Sequence, residues 1–321
     1  MNSNFNILQT AQESIKNQGE AILNLSNFIN SDFENSVKAI QAINGRVIVT
    51  GIGKSAIIAK KIVATFNSTG TPSVFMHAAE AIHGDLGIVQ NNDIIILISK
   101  SGNTSEIKTL IPFLKETNVK LIGISSEENS YLGLNSDFFL KSFIEKEACH
   151  NNLAPTTSTT AQLVIGDALA ICLSKLNGFK KSDFARYHPG GSLGRELHLK
   201  VKDIIKKNKK PEVKEKDNLA TIINEISNKM LGATAITNNQ KAIGIITDGD
   251  LRRFFSSGKD INSVSAKDFM SKTPKTINSE SLASEALIIM NKNKITQLIV
   301  QDKDSYIGII HLHNILNEGL S

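Results

Sequence analysis

A doubly wound parallel α/β sheet followed by a smaller α+β tandem is the fold class this sequence predicts, and three observations predict it. From Arg46 onward short apolar runs alternate with helical segments, the order that builds an open parallel sheet with helices on both faces. From near Val201 the elements shorten and a repeat appears: Gly244-Ile245-Ile246-Thr247-Asp248-Gly249-Asp250-Leu251 recurs 64 residues later as Gly308-Ile309-Ile310-His311-Leu312-His313-Asn314-Ile315. Within the first region, the apolar run Ile94 to Ile98 opens into Ser99-Lys100-Ser101-Gly102-Asn103-Thr104-Ser105-Glu106, a hydroxyl-rich glycine turn entering a helical pattern. Backbone N–H groups and hydroxyls at such a helix start make a seat for a phosphate.

The elements follow in order. Apolar positions at helical spacing (Ile7, Leu8, Ala11 and Ile15, then Ile22, Leu25 and Ile29, then Val37 and Ile40) make residues 1–45 a helical lead-in packed on the sheet domain. Strands are predicted at Val47-Ile48-Val49, Ser73 to Met76, Ile94 to Ile98, Val119 to Ile124 and Phe138 to Leu140. Helices fall at Ala56 to Phe66 and Ser105 to Lys115, with a long buried helix at Ala161 to Leu176. A ligand then binds at the carboxyl ends of the strands. In the tail, Lys202-Asp203-Ile204-Ile205 has its counterpart in Lys267-Asp268-Phe269-Met270, giving two units at 201–260 and 265–321. Units this small need a partner to cover an apolar face, so the two are expected to pack as a pair.

Composition narrows the function classes. The 321 residues are 40% apolar and 21% charged, a balance that excludes disorder. Met1 to Phe5 lacks a basic leader, and no run approaches the roughly 20 apolar residues of a membrane span, so a cytoplasmic protein with no membrane partner is expected. The formal charge of +5 suits an anionic ligand. Its clearest cluster, Lys206-Lys207-Asn208-Lys209-Lys210, has no interleaved aromatics and reads as a solvated linker surface rather than a nucleic-acid contact. Cys149 and Cys172 show no metal-ligand spacing and are expected as free thiols.

Gly51-Ile52-Gly53-Lys54-Ser55 follows the first strand but satisfies neither familiar nucleotide loop. A P-loop needs glycine where Ile48 stands, and a dinucleotide fold needs an acid where the next strand ends in Met76-His77. A tight turn with Lys54 as a fixed positive charge is what remains. Two further loops carry groups suited to proton transfer. One is Glu145-Lys146-Glu147-Ala148-Cys149-His150 with the hydroxyls of Thr156-Thr157-Ser158-Thr159-Thr160. The other is Arg186-Tyr187-His188-Pro189-Gly190-Gly191. One hydroxyl is an ordinary helix cap, but five in succession ask for another reason. His83, in Ala81-Ile82-His83-Gly84-Asp85, is open between ligand contact, metal contact and helix-end packing.

Together these motifs carry a resemblance. Residues 46–195 resemble a sugar isomerase (SIS) domain of flavodoxin-like topology, and the tail resembles a pair of cystathionine-beta-synthase (CBS) repeats. The combination closely resembles the bacterial D-arabinose 5-phosphate isomerases. The resemblance implies an active site of Lys54, Glu106, Glu147 and His188, with His83 near it and implicated in inhibitory metal binding. It also implies an oligomer, a tetramer, in which His83 or His188 acts in a neighbour's pocket. Lys100, Asn103 and His150 stand where the family commonly has asparagine, glutamate and proline. On the tail the family pattern places a nucleotide or nucleotide-sugar effector at Thr247 and Asp250, whereas the second repeat offers His311 and Asn314.

The implied reaction, D-arabinose 5-phosphate to D-ribulose 5-phosphate through an enediol, sets chemical requirements. One base must reach both carbons, and donors must hold the developing oxyanion. A carboxylate of raised pKa suits the base, and Glu147 is assigned to it, with Glu106 as a positioning group or second proton carrier. The furanose must also open, a step assigned to His188 because histidine titrates in the right range. Lys54 then holds the substrate oxygens. Ser99, Ser101, Gly102 and Thr104 seat the phosphate, and Gly53, Ser55, His83, Thr157 and Ser158 complete the substrate contacts. No cofactor is required. The product is expected to supply lipopolysaccharide Kdo or a capsule. Rival readings are an isomerase of another sugar phosphate, a non-catalytic sugar-phosphate sensor and, more distantly, a dinucleotide oxidoreductase.

Overall fold

The computed structural model describes residues 6–258, 260 and 264–320. Two compact units divide the chain, Met1–Lys180 and Lys181–Ser321.

In the first unit, α1 (Ile7–Asn24) and α2 (Ser31–Ala42) lead into β1 (Val47–Gly51), α3 (Gly53–Ser68), β2 (Ser73–His77), α4 (Ala78–Ala81) and β3 (Ile94–Ile98). Then come α5 (Ser105–Glu116), β4 (Lys120–Ser125), α6 (Tyr131–Asn135), β5 (Phe138–Lys141) and α7 (Thr157–Leu176). The five strands form one parallel sheet in the order β2-β1-β3-β4-β5. Every residue of β1 and β3 is buried, as a central parallel strand covered on both faces requires. Successive side chains alternate between the two layers. Val47, Val49, Ile94, Ile96 and Ile98 pack with α2, α3 and α7, while Ile48, Ile95 and Leu97 pack with α4 and α5. The chain is therefore wound on both sides, and its direction of travel reverses between β1 and β3. Loops diverge there and leave a crevice at the strand ends.

The lead-in is unequal along its length. Phe33, Val37 and Ile40 of α2 join the core, whereas α1 buries no residue and leaves Ile7, Leu8, Ile15 and Leu23 exposed. Helix α7 corrects the expectation that no stretch approaches a membrane span: by length and composition it is long and apolar enough for one. Its Ile165, Leu169 and Leu173 instead belong to the unit's core, which explains the apolar composition. Gly166 lets α7 approach α3, since a Cβ there would fall 2.3 Å from Ile62 Cδ1.

The second unit runs α8 (Lys181–Tyr187), α9 (Ser192–His198), α10 (Val201–Ile205), β6 (Glu212–Val213), α11 (Leu219–Lys229), β7 (Ala233–Asn238), β8 (Lys241–Thr247) and α12 (Asp248–Ser256). It continues with α13 (Ala266–Phe269), β9 (Thr276–Asn278), α14 (Ala283–Asn293), β10 (Gln297–Asp302), β11 (Ser305–His311) and α15 (Leu312–Asn317). The repeat read from the sequence is structural. Each half holds a three-stranded sheet with one parallel and one antiparallel pair, β6-β7-β8 and β9-β10-β11. Even the irregularity recurs, a register shift at Ile236/Thr237 and again at Val300/Gln301. The two halves share a core of Leu231, Ala233, Ala235 and Ile245 with Ile299, Tyr306 and Ile309. The basic cluster is less free than a solvated linker: Lys206, Lys207 and Lys210 pair with Asp203, Glu318 and Glu212.

Candidate functional site

A cleft of about 330 Å³ opens at the switch point of the first unit's sheet. Its walls are the starts of α3, α5 and α7, which contribute Lys54 and Ser55, Thr104, and Ser158 and Thr159 respectively, with Ser99, Lys100 and Ser101 from the turn after β3. Three helix starts border this space, and those of α3 and α5, without any side-chain cap, turn backbone N–H groups and positive partial charge toward it. A larger hollow of about 590 Å³, between α1 and the segment after β5, presents Glu20 and Glu145 and no glycine turn. Chemistry rather than size therefore selects the smaller cleft.

The turn after β3 is built to hold its hydroxyls in place. Gly102 has a φ of +64°, and a Cβ there would fall 2.0 Å from Ser130 Oγ, so both backbone and space demand glycine. Ser99 Oγ accepts from the Gly102 N–H at 3.1 Å and lies 2.7 Å from Thr104 Oγ1. Ser101 Oγ accepts from the Asn103 N–H at 3.2 Å. On the facing wall Ser55 donates to Gln162 Oε1 at 3.1 Å, tying α3 to α7. Gln162 is a cleft residue that sequence reasoning missed. Its signal was only positional, one turn beyond Ser158 on a helix face otherwise apolar. Lys54 is exposed at the start of α3 and has no salt-bridge partner among the described residues.

Glu147 departs from expectation. The sequence argument asked for a carboxylate of raised pKa, and the structure lowers it to about 2. Burial pushes the other way, since the residue is only 3% exposed, but the donors around it prevail. Oε2 accepts from the Thr156 N–H at 2.9 Å, the Ser158 N–H at 3.1 Å and the Thr156 hydroxyl at 3.2 Å. Oε1 accepts from the Ser158 hydroxyl at 2.5 Å and pairs with Lys100 Nζ at 2.7 Å. Glu147 thus caps α7, whose N-cap residue Thr156 makes no side-chain cap of its own.

The hydroxyl run is explained the same way. Thr156 and Thr157 both accept from the Ala148 N–H at 3.0 Å, and Thr159 and Thr160 donate to the Thr156 carbonyl. Thr157 is buried against the Glu147 loop rather than lining the cleft, while Ser158 and Thr159 line it. Glu106 stands in the first turn of α5 with Oε2 accepting from the Ser105 hydroxyl at 2.8 Å. Its own backbone N–H, that hydroxyl and nearby His77 hold its carboxyl below the usual range. Gly53, with a φ of +57°, opens α3.

His83 and His188 have surroundings of their own. His83 is exposed beyond α4, its N–H donating to the Glu80 carbonyl at 2.9 Å. Among the described residues no group of three or more His, Cys, Asp or Glu side chains could hold a metal ion. His188 belongs to the second unit, where its ring stacks on Phe184 at 3.9 Å and Nδ1 meets the Phe184 carbonyl at 2.9 Å. Cys149 and Cys172 are free thiols.

In the second unit Thr247 and Asp250 form the capping box of α12. The Thr247 N–H and hydroxyl donate to Asp250 Oδ2 at 2.9 and 2.7 Å, and Asp250 Oδ1 pairs with Arg253. At α15 the same box is made by His311 and Asn314. There the Asn208 side-chain amide donates to Asn314 Oδ1 at 3.0 Å, and burial and His313 depress the His311 pKa.

Comparison with known proteins places these features. Residues 41–172 match the SIS domain family, and residues 201–257 and 266–321 match the CBS domain family. Arabinose 5-phosphate isomerase KdsD of Francisella tularensis is 45% identical over 314 residues, covering 96% of each chain. KdsD of Escherichia coli K12 is 43% identical over 318 residues, covering 98% of this chain and 97% of that one. A solved structure from E. coli CFT073, in complex with arabinose 5-phosphate, is 42% identical and covers 59% of this chain and all of that one, with a TM-score of 0.56.

Proposed function

From the premise that this chain belongs to the arabinose 5-phosphate isomerase family, an SIS domain followed by two CBS domains, we propose that it interconverts D-ribulose 5-phosphate and D-arabinose 5-phosphate through an enediol. The observation that supports this most is the cleft, lined by hydroxyls, helix starts and two lysines, with one carboxylate, Glu147, buried behind its wall and held there by the lining residues Lys100 and Ser158. Such a site holds a phosphorylated tail and leaves a carboxylate beside the carbonyl end.

The roles follow from position. Ser99, Ser101, Thr104 and the start of α5 take the phosphate, and Lys54 stabilises charge on the enediol oxygens. Glu147 moves the proton between C1 and C2, with Glu106 as the second carboxylate. Ring opening is assigned to His188 on family resemblance alone. A homo-oligomer, a tetramer, in the cytoplasm is the assembly that resemblance supports. It also supports a nucleotide or nucleotide-sugar effector at Thr247 and Asp250, and a product destined for lipopolysaccharide Kdo or a capsule.

Incubation with ribulose 5-phosphate in D2O tests the reading directly. Arabinose 5-phosphate carrying deuterium at C2 is the expected product. A different aldose would reassign the sugar, and tight binding without exchange would make the protein a sensor. Glu147→Gln is expected to abolish exchange. Near-normal turnover in that variant, together with loss in Glu106→Gln, would interchange the two carboxylates.

A further inference from the structure

Held as it is by Lys100 and the start of α7, Glu147 is a weak base, because too many donors keep it ionised. Those donors are not equivalent. Four come from the start of α7, the N–H and hydroxyl groups of Thr156 and Ser158. Three of them fall on Oε2 and one on Oε1, so every α7 donor is uncharged and each oxygen keeps a partner without the lysine. Lys100 Nζ, 2.7 Å from Oε1, is the fifth, and among the described donors it is the one cation and the one that comes from outside α7.

The pair is also asymmetric. The Glu147 side chain is fully buried, whereas that of Lys100 is 44% exposed and lines the cleft. The Lys100 backbone is part of the phosphate turn, fixed by its carbonyl accepting from the Ser126 N–H at 3.0 Å and the Ser125 hydroxyl at 3.2 Å. Only its flexible four-carbon stem needs to move for the ammonium to reach an anion seated on that same turn. A phosphate dianion there competes with Glu147 for the ammonium, carrying twice the charge in a more accessible place.

On the reading proposed above, we infer that Lys100 couples phosphate binding to proton transfer: its ammonium leaves Glu147 for the substrate phosphate, and the carboxylate left without its cation becomes the base. Loss of a neighbouring cation moves a carboxyl back toward its ordinary range. Glu147 takes a proton from one carbon, exchanges it with solvent while the enediol is bound, and delivers one to the neighbouring carbon, so it ends each turnover as it began.

Cutting the substrate in two tests this. D-Erythrulose, which lacks a phosphate, is incubated in D2O with and without inorganic phosphite dianion, and deuterium uptake is followed by NMR. In the unaltered protein phosphite is expected to accelerate exchange by about tenfold or more, the worth of one charge-assisted hydrogen bond. In Lys100→Met, exchange without phosphite is expected to rise above that of the unaltered protein. Its acceleration by phosphite is expected to vanish, and its KM for ribulose 5-phosphate to rise about tenfold or more. Lys100→Arg should recover the phosphite response, which a merely structural role for the lysine would not predict. Equal phosphite acceleration in Lys100→Met and the unaltered protein, or none in the latter, would overturn the coupling. Failure of the unaltered protein to exchange ribulose 5-phosphate at all would instead sink the isomerase reading. Should Lys100→Met not fold, Lys100→Gln carries the same comparison.

Discussion

Helices α7 and α12 both begin after a threonine, and in both that threonine gives its N–H and its hydroxyl to a carboxylate, yet the carboxylates arrive by different routes. At α12 the acid is Asp250, three residues past the N-cap Thr247, and the box closes within one turn. At α7 the acid is Glu147, nine residues upstream of Thr156, and it arrives on a separate loop. The Glu147 N–H donates to Asn152 Oδ1 at 2.7 Å, and the Ala148 N–H is held by Thr156 and Thr157. The local box is self-contained and fixes one helix end. The remote cap fixes a helix end, a loop and, through Lys100, one wall of the cleft. An interaction that organises more of the chain is more damaging to lose.

Substitutions should expose that contrast. Glu147→Ala leaves several buried donors without an acceptor and is expected to destabilise the chain by about 3 kcal/mol or more in urea unfolding. A loss below about 1 kcal/mol would show that the remote cap is no stronger than a local one. The same carboxylate should appear in the pH dependence. Its folded pKa of about 2 lies below the ordinary 4.5, so its contribution is fully present above about pH 4.5 and disappears as pH falls through about 2. That contribution is about 3 kcal/mol, and the acid-titration slope it produces should flatten in Glu147→Gln.

Gly102→Ala should cost about 2 kcal/mol, because the new methyl meets Ser130 Oγ and the backbone is left-handed. Gly53→Ala, with a similar φ but nothing within 4 Å, isolates the backbone share and should cost about 1 kcal/mol. Paired thermal melts of the two variants measure the difference. Asp250→Ala completes the series at about 1 kcal/mol, the usual worth of a local cap, with isomerase turnover unchanged.

Much of the architecture was legible in the residues because it rests on short-range pattern. Short, β-branched apolar runs bounded by turn residues, such as Ile94 to Ile98, read as strands covered on both faces, and a 64-residue recurrence reads as two copies of one unit. The glycine of the turn after β3, Gly102, was also readable, since few residues adopt a positive φ. Less was legible where a side chain's partner is distant in the chain. Gln162 looked like one more residue of a buried helix until Ser55, on α3, was found against it. The hydroxyl run looked like a ligand surface, yet Thr157 serves the Glu147 loop.

Order of elements, winding of the sheet, duplication of the tail and position of the glycine turn after β3 were all written in the order of residue types, because periodicity and backbone preference act over a few neighbours. The character of Glu147 was not. Its sequence neighbours Lys146 and Ala148 make no hydrogen bond to its carboxylate; the donors that do are Thr156, Ser158 and, from the turn after β3, Lys100. A carboxyl's acidity depends on which charges and donors surround it, and folding alone decides that company.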